Sequence, residues 1–462
     1  MNRWLAVLLV VVCTWQGSRG RVLGGAGGYE IVALPSQVQT LALDDATGKV
    51  FVAGAALHSV PPPMAAVSTV DGLTGRLVRT ATTSLPAGGE RCCQLSLQVD
   101  APVGRVYVSS SMGLRLVQLD ARTGRALKTL TVGRISALVP LAGGRQLLAI
   151  VDNPDTGRGV AGMRLLDGRS GALLAQVACA GAPADAFVWR PPVADPMTSR
   201  VFVPLLGARS GASICVLDSA LARALPAVPV RALSGSAAID ALALDVRAQR
   251  VVVAAHDQQS GAGQVLVLDA RSGQRLATTP IGPYPGQIVL AAGHAYVLAT
   301  ATGYGTPLGP GSVSILSITT GRLVRTVAIG PAAVTEAVAP ALNRLSITYA
   351  DGSSARYNLR TGRLQARNGP NRHVTFTLAV DARAHRAYTV EGDPQRGDFP
   401  FGVTQLQMRD SRNGRLLRSV ALPGFSGPAL LDGQRHLLYL GINACRLSPG
   451  QGACLLLLST QH

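Results

Sequence analysis

The chain has 462 residues, 47% of them hydrophobic, and a formal charge of +18 from 43 basic and 25 acidic side chains. Aromatics are only 4% and no basic run exists, which excludes a nucleic-acid module, whose footprint is clustered Lys and Arg with rings to stack on. Val, Ala, Leu and Gly dominate throughout, with no long helical periodicity and no shift of composition to mark a second domain.

In chain order, residues 1–20 come first as a secretory leader: Arg3 near the start, an apolar run from Leu5 to Val12, and Ser18-Arg-Gly20 as a small-x-small cleavage site. That run is too short to span a bilayer, so no transmembrane span is expected. Cys13 follows Val12, where a lipid-attachment site would have a small residue. Gly24-Gly-Ala-Gly-Gly28, within 21–28, reads as a flexible connector. Tyr29 to Leu34 reads as a lone strand, and from there to residue 462 one domain is predicted.

Beyond Leu34 two phrases recur. The first is Asp120-Ala-Arg-Thr-Gly-Arg125, repeated as Asp167-Gly-Arg-Ser-Gly171, Asp269-Ala-Arg-Ser-Gly-Gln274 and Asp410-Ser-Arg-Asn-Gly-Arg415, with weaker copies beginning at Asp71, Thr319 and Arg360. Asp or Ser/Thr bonds its own backbone and Gly supplies a positive φ, so the phrase joins two antiparallel strands. The second is a basic residue opening a β-branched or aromatic run, as in Lys49-Val-Phe-Val, Arg105-Val-Tyr-Val, Arg200-Val-Phe-Val and Arg386-Ala-Tyr-Thr. With His294-Ala-Tyr-Val it occurs nine times, so nine units are counted.

Each unit holds four strands. The fold class is therefore all-β: a single β-propeller of four-stranded antiparallel blades. The strands read as near-continuous apolar runs because neighbouring blades cover both of their faces. The last unit ends one strand short, and Tyr29 to Leu34 is expected to complete it and close the ring, leaving no open edge. Nine blades exceed the usual four to eight. Eight is the alternative, with the shortest unit, 334–369, as the one to drop.

Six cysteines follow the leader, which fits export. Cys445 and Cys454 flank one loop of the last blade and are expected to form a disulfide, while Cys179 and Cys215 can pair between adjacent units. Cys92-Cys93 either closes a strained ring, stays reduced, or pairs elsewhere. No Cys or His cluster has metal-ligand spacing, and no metal is assigned.

Arginines recur once per unit. Arg76, Arg125, Arg322, Arg363 and Arg415 follow the turn and should ring the outer edge of one face. Those opening the second strand are expected to pair with the Asp ending the strand before, as Arg105 with Asp100, Arg250 with Asp245 and Arg386 with Asp381.

Gly104-Arg-Val-Tyr-Val-Ser-Ser110, Val265-Leu-Val-Leu-Asp269 and Thr326-Val-Ala-Ile-Gly330 resemble the YVTN-repeat β-propellers of prokaryotic envelopes, over essentially the whole mature chain. The resemblance implies a periplasmic, secreted or cell-surface binding scaffold and carries no catalytic motif or cofactor. Quinone-dependent propellers place a latching Trp after a similar turn, where this chain has Arg79, Lys128, Ala277, Arg325 and Arg418. Lactonase-type propellers need a calcium cage, for which Glu336, Asp240 and Asp185 are the inward candidates here.

A binding site is expected at the channel mouth, on the face where the loops between second and third strands and those between blades converge. From the first class come His256, Asp257, Glu391 and Asp393; from the second, Glu90, Arg91, Cys92, Cys93, Tyr284, Arg372 and His373. The leading reading is a non-catalytic monomer that binds a protein, a peptide or an anionic polysaccharide or cell-wall polymer. The alternative is a propeller hydrolase or lyase acting on an anionic substrate, with Arg91, Arg372 and His373 near the channel.

Overall fold

The computed structural model describes residues 29–459, apart from 57–63, 88–94, 142–144, 153–159, 183–184, 208–210, 231–235, 300–309, 340–342, 350–352, 370–373, 393–402, 412–414, 446–452 and single positions 112, 189, 221, 332, 382, 423 and 444. The leader, the connector and the candidates Glu90, Arg91, Cys92, Cys93, Arg372, His373 and Asp393 lie outside these residues.

Nine antiparallel sheets follow one another along the chain: 40–86, 95–131, 135–177, 186–230, 237–281, 285–331, 333–368, 374–421, and 425–459 with 29–34. We number them as blades 1 to 9. The seventh, the shortest unit in the sequence, is a complete sheet of Ala333–Ala339, Arg344–Tyr349, Ser354–Asn358 and Leu364–Asn368, so the count is nine and not eight. The described residues contain no helix.

First strands of successive blades lie beside one another: Thr40–Asp44 against Leu95–Asp100, Ala237–Asp245 against Pro285–Ala291, and Val374–Asp381 against Phe425–Asp432. First strands therefore line the axis and fourth strands the rim. Phe425–Asp432 also meets Thr40–Asp44, which closes the circle.

Closure takes the form read from the sequence. Tyr29–Leu34 pairs antiparallel with Ala453–Ser459, from Tyr29 opposite Leu458 to Leu34 opposite Ala453. Val32 and Leu34 then pack with Val50, Val52 and Val70 of blade 1. Two further bonds stitch the seam, from Val38 N–H to the Asn443 Oδ1 (2.7 Å) and from Asn443 Nδ2 to the Val38 carbonyl (3.0 Å).

The core is a ring of interfaces between blades. Phe202, Ile214 and Val216 of blade 4 meet Val251, Val253 and Leu268 of blade 5, and comparable clusters fill most of the other seams. Second and third strands are buried on both faces; Gly211–Asp218 is buried at every position. Fourth strands are not: Ala126–Thr131 is exposed at all but one. The expectation of two covered faces holds for the middle of each blade and fails at its rim, because the outermost strand has a neighbour on one side only.

The turn phrase works as its residues dictate. In blade 5 the Asp269 carboxylate accepts the N–H groups of Arg271 (3.0 Å) and Ser272 (2.8 Å) and the Ser272 hydroxyl. Gly273 follows at φ 74°. The same glycine position lies against the preceding blade: a Cβ on Gly321 would stand 2.4 Å from the Ala277 Cβ. Glycine is thus required twice, by the turn and by the seam.

The second-strand arginines correct one expectation. Arg105, Arg200 and Arg250 pair with Asp120 (3.5 Å), Asp218 (2.8 Å) and Asp269 (2.9 Å), the turn aspartates ending the third strand, rather than with the Asp ending the first. Both aspartates sit opposite the arginine in the ladder. Of the first-strand carboxylates, Asp245 accepts the Ala248 N–H of its own turn and Asp381 the Arg383 and Ala384 N–H groups. Arg435 does pair with the preceding Asp432 (2.8 Å).

The expected Cys445–Cys454 disulfide is present, and so is the Cys179–Cys215 pairing that the sequence allowed. Cys445–Cys454 lies within blade 9, and Cys179–Cys215 ties the segment after blade 3 to the third strand of blade 4.

Candidate binding site at the channel mouth

Strand direction sorts the connections between two faces. Turns between first and second strands, and between third and fourth, share one face; loops between second and third strands and links between blades share the other. His256, Asp257 and Tyr284 all lie on this second face, the first two at the end of Arg250–Asp257 and Tyr284 just before Pro285–Ala291.

Blade 5 places an acid beside them. The first strand of blade 5 carries a bulge: pairing jumps from Ile239 to Ala241, leaving Asp240 as the extra residue. Bulges recur at this level of the first strand, at Ser136, Gly286, Val334, Leu378 and Gly427-Pro428. Only in blade 5 is the extra residue ionisable. Asp240 Oδ2 lies 2.7 Å from His256 Nδ1, and both side chains are largely buried.

The pair is framed on two sides. The Tyr284 ring stands 5.2 Å from the His256 ring, tilted at 52°. Tyr284 is held at a positive φ of 49°, sparsely populated for a bulky residue and therefore a pointer to function. Its N–H donates to the Gly261 carbonyl (3.0 Å), and its ring covers Gly261 so closely that a Cβ there would be 2.4 Å away. From blade 4, Arg190 adds a positive field at Asp240. It sits where Pro191-Pro192 split the innermost strand into Ala186–Val188 and Val193–Asp195, since proline has no N–H to give the ladder.

Burial pushes the Asp240 carboxyl above its usual range, while the bond to His256, the imidazole charge and Arg190 pull it down. The bond from Nδ1 to Asp240 fixes the orientation of the His256 ring and leaves Nε2 as its other nitrogen. The arrangement gathers one imidazole, one phenol and the field of one guanidinium around the Asp240 carboxylate. Asp257, in contrast, is buried and caps the following loop by accepting the N–H groups of Gln259 and Ser260, both at 2.9 Å. Glu391 lies in Arg386–Gly392 with its backbone opposite Thr375, on the same face in blade 8. The structure therefore joins two predicted residues, His256 and Tyr284, and assigns a third, Asp257, to the loop.

Sequence reasoning grouped Asp240 with Glu336 and Asp185 as calcium candidates and did not pair it with His256. The two are sixteen positions apart, and they meet because the first two strands of blade 5 pair with Ala238 opposite His256. Among the described residues no group of three or more His, Cys, Asp or Glu side chains converges as a metal site would. On the opposite face a depression of about 350 Å³ is lined by Asp45, Asp381, Arg383, Leu431, Asp432, Gly433 and Gln434. Two of its carboxylates are engaged, Asp381 by His436 (2.6 Å) and Asp432 by Arg435.

No protein-family model matches the chain, and no curated protein does. Solved structures do. A eukaryotic initiation factor aligns over 89% of this chain and 93% of its own, at 12% identity and a TM-score of 0.56. Dihydro-heme d1 dehydrogenase NirN in complex with DHE aligns over 85% and 78%, at 14% identity and a TM-score of 0.52. BamB from Moraxella catarrhalis aligns over 95% and 100%, at 14% identity and a TM-score of 0.48. At these identities the likeness is one of fold, and the chain is a nine-bladed β-propeller.

Proposed function

We propose that the chain is an exported, non-catalytic binding propeller of the YVTN-repeat kind, holding a peptide, protein segment or anionic glycan at the channel mouth. The observation that carries this reading is the contrast between the two faces. One is built mainly from short, repeated, self-capped turns, with the Asp381–His436 pair bridging blades 8 and 9. The other bears the unrepeated polar group Asp240, His256, Tyr284 and Arg190, centred on blade 5. Scaffolds keep repetition where they need rigidity and vary where they bind. Export is supported by the leader at residues 1–20 and by two disulfides, which persist in oxidising compartments.

Immobilised peptide and cell-wall glycan arrays, probed at low and high salt, test the proposal. His256→Ala and Arg190→Ala should each weaken the best hit by about tenfold, the loss of a charged or buried hydrogen bond. Arg190→Ala should also reduce the salt dependence. Unchanged binding in both variants would remove the site from the proposal.

A hydrolase or lyase is the second reading, and one observation favours it: a carboxylate-held imidazole beside a phenol is a general-base arrangement. Elemental analysis separates the two, because stoichiometric calcium or zinc in the purified protein favours catalysis.

A further inference from the structure

The described residues include twelve large hydrophobic side chains that are exposed. Ten of them stand at one level of the molecule, in the turn between third and fourth strands or in the first two residues of the fourth strand. They come from seven of the nine blades; Leu127, Leu174, Leu276, Val324, Leu364 and Leu416 represent blades 2, 3, 5, 6, 7 and 8. In an ordinary monomer exposed aliphatic side chains are scattered singly. Here they form a girdle around the rim of the turn face, away from the candidate site.

An arginine accompanies the girdle in blade after blade. Arg76, Arg125, Arg275, Arg322 and Arg363 are exposed immediately beside these apolar residues, and Arg122, Arg169, Arg271 and Arg360 are exposed within the turns themselves. The aspartates of the same turns do not cancel this charge evenly. Asp71, Asp120, Asp167 and Asp269 accept their own turn N–H groups and hydroxyls in blades 1, 2, 3 and 5. In blades 6 and 7 the capping place is taken by Ser317 and Asn358, leaving Arg322, Arg360 and Arg363 without a turn carboxylate.

We infer that this rim docks the ring, turn face down, on an anionic phospholipid surface. A flexible polyanion would need the guanidinium groups alone and would leave the leucines and valines in water. A lipid interface uses both, with aliphatic side chains at the acyl boundary and guanidinium groups reaching the phosphates from long apolar stems. The circular arrangement at one level suits a flat partner, since all seven blades engage it together. Docking this way leaves the loop face pointing outward, so the surface and the channel-mouth site operate independently.

The test uses the full mature chain with disulfides intact. Vesicles of phosphatidylcholine containing phosphatidylglycerol should co-sediment with it, vesicles of phosphatidylcholine alone should not, and raised salt should weaken the association. The triple variant L276S/V324S/L364S should lose about tenfold in vesicle affinity, and R275Q/R322Q/R363Q should lose the preference for anionic vesicles. Circular dichroism and the thermal transition should be unchanged in both, as all six positions are exposed. Retained vesicle affinity in the serine variant, or equal affinity for soluble dextran sulfate, overturns the inference. So does a wild-type dimer that the serine variant dissolves without any vesicle binding. His256→Ala should leave vesicle binding intact, so failure here and failure of the channel-mouth proposal give different results.

Discussion

At the scale of single residues the turn aspartates carry the most chemistry. In blades 1, 2, 3 and 5 the carboxylate accepts the N–H and hydroxyl donors of its hairpin and, in blades 2 and 5, those of a cross-strand arginine as well. Burial works against ionisation of Asp71, Asp120 and Asp269, but the turn bonds outweigh it and all three carboxyls lie below the usual value of 3.8, as does that of Asp167. A depressed native pKa means the folded state releases its proton more readily. The stabilisation is fully present above about pH 4 and is lost as pH falls through the lowered values. Thermal scans from pH 6 down to pH 2 should show this loss, and Asp269→Ala should lower stability at pH 6 by about 1–3 kcal/mol while flattening the acid limb. An acid limb unchanged in that variant would contradict the assignment. Asp240 is the opposite case, its raised carboxyl tied to His256. The turn aspartates were legible in the sequence because they repeat; the dyad was not, because neither of its residues belongs to a repeated phrase.

At the scale of elements, the seam between blades is made by side chains that cross it. Tyr107, third in its Arg-led strand, donates its hydroxyl to the Gly168 carbonyl in the turn of the next blade, and Tyr439 does the same to Gly72 (3.2 Å). Burial, with the charge of Asp100, pushes the Tyr107 hydroxyl up to about 12, which keeps it a donor. A second-strand tyrosine thus latches blade 2 to blade 3 and blade 9 to blade 1. The turn glycines complete the seam. Gly321→Ala combines a positive φ with contact against Ala277, whereas Gly181→Ala, at φ 77° with open space around it, carries the backbone strain alone. Denaturant titration should find the Gly321 change about 1–2 kcal/mol more costly than the Gly181 change. Equal costs would mean that the seam tolerates the extra methyl. The Gly in the phrase announced the turn in the sequence, but its second duty appears only when a neighbouring blade stands beside it.

At the scale of the whole molecule, the ring is closed by one six-residue strand. Removing Tyr29–Leu34 would strip blade 9 of its fourth strand, expose the edge of Ala453–Ser459 and uncover Val50, Val52 and Val70. The shortened chain should lose cooperative unfolding and aggregate in size-exclusion chromatography; a monomeric chain with an unchanged transition would refute strand-mediated closure. The closing strand was readable because the last unit lacked a fourth strand and the first segment had no partner of its own.

The amino-acid sequence by itself determined the period, the hairpin turns, the ring closure and the Cys445–Cys454 pair, while the choice of nine blades over eight and the Cys179–Cys215 pair came from the structure. The former follow from local rules repeated along the chain, such as positive φ at Gly, an acid at the turn and apolar runs of strand length. Only the tertiary structure decided which aspartate each arginine meets, that Asp240 meets His256, and that rim leucines and arginines form one band. Those features depend on positions far apart in sequence, or on which side of a strand has no neighbour. Such relations arise only once the blades stand around a common axis.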